Sequence, residues 1–333
     1  MEEYQDEPIS VIVAARDEEQ NIALLINDLI AQTHTNFELI IVDDHSSDST
    51  PQMVEEYAQM FSFIRLYKSD GQGKKSALKL GIQKAQFDFV VVTDADCRVS
   101  SNWLQTMVCF YKQKGVDLIF GPVRFSFSTS IFSQFQSLEF LSLTASSAGS
   151  IGIGMPILSN ACNMAFSKKC WNDCVSDIEE KSLSGDDMFL MISAKKQHKR
   201  IAFLKSPFAI VDTSACNSLS QFFNQRKRWS SKSKYYTDLQ VIIVGLIIAL
   251  MSVNLVALFV LSWICNAYFN VFFVCFGLKF VIDLLFLLLV SPFYQQERLL
   301  KWYVPLTLLY PFYVSVSLVG GLLENFTWKG RHV

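Results

Sequence analysis

Four short stretches of the sequence bring together residue types that could do chemistry. In TDADC, Asp94 and Asp96 stand two apart at the end of an apolar run. On an extended backbone such residues point the same way, and two converging carboxylates suit a hard divalent cation bridging to diphosphate oxygens. In SGDDMFL, Asp186 and Asp187 are adjacent. Their repulsion should raise the proton affinity of one of them, as a general base requires. The competing reading is structural: Ser184 or Asp186 caps the helix that follows. In VDDHSSDST, Asp43 and Asp44 close another apolar run. Carboxylates there can hydrogen-bond a nucleobase or ribose, although Asp and Ser also build turns. In QRKRW (225–229), arginine can pair bidentately with phosphate and tryptophan can stack on a ligand or wall a pocket.

These groups need rigid elements to aim them. ISVIVAA (9–15) is a continuous β-branched run and reads as a strand buried on both faces, as in a parallel sheet. A helix with Ile22, Leu25, Ile26 and Leu29 on one face follows, then a strand over 37–44. A helix with a proline near its first turn comes next, then a strand over 63–67 and a helix over 73–85. A strand over 87–96, a further helix and a fifth strand, VDLIFGPV, complete the pattern. Alternating strands and helices predict an α/β fold with a mostly parallel sheet, whose ligands bind at the carboxyl ends of the strands. Asp43, Asp44, Asp94 and Asp96 fall there.

The chain is 51% hydrophobic and 18% charged, too apolar for an ordinary soluble enzyme and too charged for a pure membrane bundle. No Asp, Glu, Lys or Arg occurs from Leu239 to Leu278. The division predicted is a catalytic domain over 1–215, a basic and aromatic interfacial helix over 216–238, membrane helices within 239–325 and a basic tail over 326–333. The candidate spans are 239–264, 267–290 and 302–323. Pro305 and Pro311 make the third the weakest candidate. Three complete crossings would put basic Arg298 and Lys301 on the opposite side from the basic tail at Lys329 and Arg331. A re-entrant or broken third segment would resolve that conflict, and the number of complete crossings stays open. Lys279 and Asp283, at i, i+4 spacing in the second span, read as a self-neutralising pair or a functional site. The stretch 132–157 reads as a helix and loop at the bilayer surface. Lys227 and Lys232 read as headgroup anchors.

A net charge of −2 argues against a nucleic-acid partner. The eight cysteines include no CxxC and read as small buried thiols rather than a metal or disulfide framework. MEEYQDEPIS lacks the basic and apolar parts of a signal peptide, so the first domain is expected in the cytoplasm.

Taken in order, SVIVAARDEEQNI, LIIVDDHSSDST, GKKSAL, VVVTDADCRVSSNWL, NACNMAFSKKCW, SGDDMFL and QRKRW resemble family 2 glycosyltransferases of GT-A fold, the group that includes membrane-bound polysaccharide and glycolipid synthases. The resemblance covers about residues 8–236 and the helices that trail it. It implies that Ala15, Arg16 and Glu18 border the nucleotide, that Asp44 with Asp43 holds base or ribose, and that Lys74 lies near the nucleotide. It implies a DxD at Asp94 and Asp96, with Asp96 ahead as the metal ligand. Asp187, beside Asp186, matches the base of the family's acidic pair, and Gln225, Arg228 and Trp229 match QxxRW, which serves the diphosphate and the acceptor. Two departures stand out: Lys79 sits where the family often has Asn, and the acidic pair is Asp-Asp where Glu-Asp is frequent.

The reading that results is a multi-pass protein of the inner (plasma) membrane with its catalytic domain in the cytoplasm. It would be an inverting, Mg2+- or Mn2+-dependent transferase moving a sugar from a nucleotide-diphospho-sugar, UDP ahead of GDP, to a lipid or lipid-linked glycan acceptor. The alternatives are a processive polysaccharide synthase and a catalytically inactive nucleotide-binding scaffold.

Overall fold

The computed structural model describes residues 4, 6–177, 185–323, 327–328 and 331–332, with side chains as far as residue 317. Ser184 and Lys329, both given roles above, lie outside the described residues. The chain divides into two compact units, residues 1–126 with 146–214, and residues 127–145 with 215–333.

The first unit alternates as the apolar runs require. Its elements are β1 (Ile9–Ala15), α1 (Ile22–Ile30), β2 (Phe37–Asp43), α2 (Thr50–Met60), β3 (Ile64–Lys68), α3 (Lys74–Lys84), β4 (Phe89–Asp94), α4 (Trp103–Lys114), β5 (Leu118–Phe120) and β6 (Val123–Phe125). Then come α5 (Ile131–Gly152), whose residues divide between the units, β7 (Met164–Ser167), α6 (Lys168–Cys174), α7 (Asp186–Lys196), β8 (Ile201–Phe203) and β9 (Val211–Thr213). The main sheet runs β3-β2-β1-β4-β7-β5-β8. Every pairing in it is parallel except those of β7, which is antiparallel to both neighbours. β2 is buried along its whole length, and β1 and β4 nearly so, because helices cover both faces. Removing each such Ile or Val side chain from water contributes about 1.5–3 kcal/mol. α3 sits so close to β1 that a Cβ on Gly81 would meet Ile12 Cγ2 at 2.6 Å.

Two expectations about strands are corrected. The strand expected over 87–96 ends at Asp94, and the Cys97 amide donates to the Asp94 carbonyl at 3.1 Å, closing a turn that holds Ala95 and Asp96. Asp96 is therefore not aligned with Asp94 by strand alternation. VDLIFGPV is also not one strand. Gly121 gives way to the buried Asn163 side chain, which a Cβ would meet at 2.3 Å, and Pro122 has no amide proton for a ladder. β6 therefore leaves the main sheet and pairs in parallel with β9.

In the second unit α8 (Leu219–Ser231) is followed by α9 (Leu239–Ser262), α10 (Asn266–Tyr294) and α11 (Tyr303–Leu323). Its core gathers Leu138, Leu141 and Ala145 of α5 with Leu287, Tyr294, Leu299 and Tyr303. Among the described residues, α9 and α10 are long and apolar enough to cross a membrane. Most of their side chains, among them Leu246, Ile247 and Leu289, are exposed. α11 is one helix with Pro311 inside it. Lys279 and Asp283 form an ion pair along α10, and the Lys279 ammonium lies 5.1 Å from the centre of the Tyr310 ring.

Candidate active site

In the first unit the ends of β2, β1 and β4 lie side by side. Ala15 is opposite Asp43 in one register and Ala14 is opposite Asp94 in the other. Three apolar strands thus deliver two carboxylates to one sheet edge.

Asp43 and Asp44 are both buried, but they do different work. The Asp43 carboxylate accepts from the Ser46 amide at 3.1 Å and so shapes the turn after β2. Asp44 Oδ1 accepts from the Gly73 amide at 2.9 Å, and Asp44 Oδ2 lies 3.9 Å from Arg16 Nη1. Burial pushes the Asp44 carboxyl above its ordinary range, against the pull of the Gly73 amide and Arg16. Gly73 has φ 92° and ψ 160°, a backbone geometry that only glycine takes without strain. It turns the chain so that its amide meets Asp44 and its successor, Lys74, opens α3.

Lys74 Nζ donates to Asp94 Oδ1. Burial would lower its pKa, but Asp94, Cys162 and Asp186 outweigh that and hold the ammonium above its usual value. Asp94 Oδ2 accepts from Cys162 Sγ at 3.1 Å, and Asp96 Oδ2 accepts from Thr213 Oγ1 at 3.2 Å. The Asp96 carboxyl is pushed up to about 6, first by burial and then by Asp94 and Glu18, with Lys74 opposing. The turn after β4 therefore brings Asp94 and Asp96 near one another after all, by a route other than strand alternation. Glu18 joins them after β1, where its amide donates to Thr50 Oγ1 at 2.8 Å and its carboxylate accepts from Asn21 Nδ2 at 2.8 Å.

Asp186 and Asp187 occupy the first turn of α7, and the N-cap is Gly185, left-handed at φ 99°. The expectation that Asp186 caps this helix is corrected: it is the first helical residue, where the helix dipole favours a carboxylate. Asp186 is buried within electrostatic reach of Lys74, and Asp187 is half-buried. Lys75 Nζ lies 5.9 Å from the Phe189 ring centre, tying the start of α3 to α7.

The donor set fits a hard divalent cation in one way only. Asp94 and Asp186 lie within electrostatic reach of the Lys74 ammonium, and Asp94 and Glu18 within reach of Asp96, so carboxylates crowd this edge of the sheet. Yet among the described residues no three His, Cys, Asp or Glu side chains are disposed to hold an ion by themselves. A cation here needs oxygens from a bound diphosphate to complete its shell, as Mg2+ commonly does. Lys74 engages Asp94 Oδ1, whereas Asp96 Oδ2 accepts from the neutral Thr213 hydroxyl.

Ala15, Arg16, Glu18, Asp43, Asp44, Lys74, Asp94, Asp96, Asp186 and Asp187 all belong to the first unit. Gln225, Arg228 and Trp229 lie on α8 of the second, whose N-cap Ser218 accepts from the Gln221 amide at 3.2 Å. Sequence reasoning missed Gly73, Cys162 and Thr213. Only Gly73, directly ahead of Lys74, carried a local signal; the other two reach the site from distant parts of the chain, Cys162 from the 3-10 turn before β7 and Thr213 from the end of β9.

Residues 10–172 match the family profile described as Glycosyl transferase family 2. The chain is 28% identical over 111 residues to the cholesterol galactosyltransferase of Borreliella burgdorferi, covering 33% of this chain and 31% of that protein. It is 28% identical over 138 residues to the poly-beta-1,6-N-acetyl-D-glucosamine synthase of Staphylococcus aureus (strain COL), covering 41% and 34%. The matched segment thus spans about a third of these relatives' own length. The mannosyltransferase PcManGT from Pyrobaculum calidifontis, solved with GDP-Man and Mn2+, superposes with a TM-score of 0.57 at 15% identity, over 95% of this chain and 86% of that one. The mostly parallel sheet fits a GT-A fold. These matches support a glycosyltransferase of family 2.

Proposed function

We propose that this chain moves a sugar from a nucleotide-diphospho-sugar to the hydroxyl of a membrane-held acceptor, with inversion at the anomeric carbon. The observation that carries the reading is the cluster of Asp44, Gly73, Lys74, Asp94 and Asp96 where β2, β1 and β4 end, inside the segment that matches the family. Asp44, braced by Gly73 and Arg16, is assigned to the nucleoside, with Ala15, Asp43 and Glu18 around it. Lys74 is assigned to the diphosphate. Mg2+ or Mn2+ held by Asp96, ahead of Asp94, would supply positive charge against the leaving diphosphate. Asp187 takes the proton from the acceptor hydroxyl as that oxygen attacks the face opposite the diphosphate, and one displacement inverts the centre. Gln225, Arg228 and Trp229 are assigned to the diphosphate and acceptor on the strength of the motif.

The acceptor is proposed to be a lipid or a lipid-linked glycan. The exposed apolar surfaces of α9 and α10 support this, as does the likeness to a cholesterol galactosyltransferase. Two crossings by these helices return the chain to its starting side. Basic residues flank the pair on that side, Lys227, Lys232 and Lys234 before α9 and Arg298 and Lys301 after α10, whereas the intervening turn has none. That pattern supports the proposal that the flanks face the cytoplasm and that the catalytic unit is cytoplasmic. The likeness to a poly-N-acetylglucosamine synthase favours a second reading, processive polymer synthesis.

Nucleotide release tests both. Detergent-solubilised protein with Mg2+ or Mn2+ is offered UDP- and GDP-sugars, with and without a total lipid extract, beside Asp187→Asn. Lipid-stimulated release from one donor, lost in the variant while nucleotide still binds, is expected. Release without lipid accompanied by a high-molecular-weight product establishes the polymer synthase instead. Transfer by Asp187→Asn at the wild-type rate refutes the base assignment.

A further inference from the structure

We propose that Arg226, the residue after Gln225, is a positioning residue that holds Gln225 and Trp229 in place through a buried link to Glu139 and Tyr313. The inference rests on the reading that Gln225, Arg228 and Trp229 take part in transfer.

The bonding is closed on itself. Arg226 Nε donates to Tyr313 Oη at 2.7 Å, Nη1 donates to Gln225 Oε1 at 2.8 Å, and Nη2 donates to Glu139 Oε2. Tyr313 Oη in turn donates to Glu139 Oε1 at 2.9 Å. The guanidinium carbon lies 4.5 Å from the Phe222 ring centre and 4.2 Å from that of Trp229. Phe222, Arg226 and Trp229 follow the i, i+4, i+7 spacing of one helix face. Trp229 also leans on Phe140, with ring centres 6.5 Å apart. One side chain of α8 thereby engages α5 through Glu139, α11 through Tyr313, and two of the three motif residues directly.

Burial decides between this role and a plainer one. A headgroup anchor keeps its charge in water and lays its stem along apolar surface. Arg226 is 4% exposed and Glu139 is 7% exposed, so neither can serve as an anchor. Arginine stays protonated in proteins, so the buried cation requires Glu139, and losing either partner strands the other. The arrangement is consequently rigid. It commits the carbonyl oxygen of Gln225 to Arg226, which leaves the amide nitrogen as the group Gln225 has to offer a ligand. It also sets the plane of the Trp229 indole. Lysine could supply the charge, but not the planar fork that meets three acceptors while stacking on two rings.

The test uses the full chain in detergent: wild type, Arg226→Lys, Trp229→Phe and the double variant. Turnover is measured with the donor sugar found active in the release assay, UDP affinity by equilibrium binding, and tryptophan emission without ligand. Arg226→Lys is expected to lower kcat about ten- to a hundredfold, the scale of a misplaced group, with UDP affinity and melting temperature near wild type. It should also shift the emission, and that shift should vanish in the Trp229→Phe background. Tyr313→Phe, which deletes one hydroxyl, should lower kcat in the same direction by less, and serves if Arg226→Lys does not fold. Unchanged kcat despite the emission shift overturns the positioning role. So does an absent shift, or a fall in kcat matched by equal losses of UDP binding and stability. Absence of turnover in the wild type with every donor, while UDP binds, instead removes the glycosyltransferase reading, and the positioning role with it.

Discussion

Gly73→Ala tests whether the backbone at the start of α3 is what prepares Asp44 and Lys74 for a nucleotide. The wild-type residue sits at φ 92° and donates its amide to Asp44 Oδ1 at 2.9 Å. Alanine has two ways to respond. If the loop keeps its shape, the strained backbone costs about 1–3 kcal/mol. At roughly 2–4 °C per kcal/mol for a unit of this size, the melting temperature should fall by about 2–12 °C. If the loop relaxes instead, the amide leaves Asp44. A hydrogen bond to a charged group contributes about 1.5–3 kcal/mol, so nucleotide affinity should fall about ten- to 150-fold as Asp44 and Lys74 lose their arrangement. The assay is paired: thermal melting, and equilibrium binding of UDP and GDP with Mg2+, in one detergent. Gly149→Ala is the control, because an added Cβ there meets nothing within 4 Å and α5 is helical at that point. It should melt at or slightly above the wild-type temperature and bind nucleotide normally. Wild-type melting together with wild-type nucleotide affinity in Gly73→Ala would refute the argument, since neither the strain nor the amide would then matter.

Two further predictions concern the carboxylates and the frame that carries them. Asp96→Ala should weaken nucleotide binding in the presence of Mg2+ or Mn2+ and leave metal-free binding nearly unchanged; an unaltered metal titration removes the metal assignment. Gly121→Ala should destabilise the first unit by roughly 2–4 kcal/mol, as overpacking combines with lost hydrogen bonds. Its Cβ would land 2.3 Å from Asn163 Nδ2, which donates to the Pro122 and Ala209 carbonyls at 2.8 and 2.7 Å. Denaturant unfolding followed by tryptophan emission reads this directly, because Trp103 Nε1 donates to Asn163 Oδ1 at 3.1 Å.

Much of the first unit could be read from the chain because its signals are local. A strand buried on both faces must be apolar along most of its length, and β1, β2 and β4 are, with buried polar residues such as Ser10 and Glu38 hydrogen-bonded to one another. The face of α1 repeats at Ile22, Leu25, Ile26 and Leu29, the four residues that are buried. Carboxylates directly after such strands have to lie at the carboxyl edge of the sheet, so Asp43, Asp44 and Asp94 were placed correctly from sequence alone. The long apolar helices α9 and α10 were legible for the same reason: hydrocarbon-like composition sustained over their length needs no tertiary partner to reveal it.

What the sequence could not show depends on contacts between residues far apart in the chain. Cys162 reaches Asp94 across 68 positions and Thr213 reaches Asp96 across 117. β7, only four residues long, has no periodicity of its own and takes its antiparallel place from its neighbours. The turn at Ala95 and Asp96 follows two carboxylates that looked like a strand end, and only the closed backbone bond from Cys97 shows otherwise. Arg226 is the sharpest case. Within QRKRW it is one cation among three, indistinguishable by composition from an anchor. Folding decides its role, because burying a charge that cannot be neutralised forces it to find Glu139, 87 positions away, and Tyr313, 87 positions on the other side.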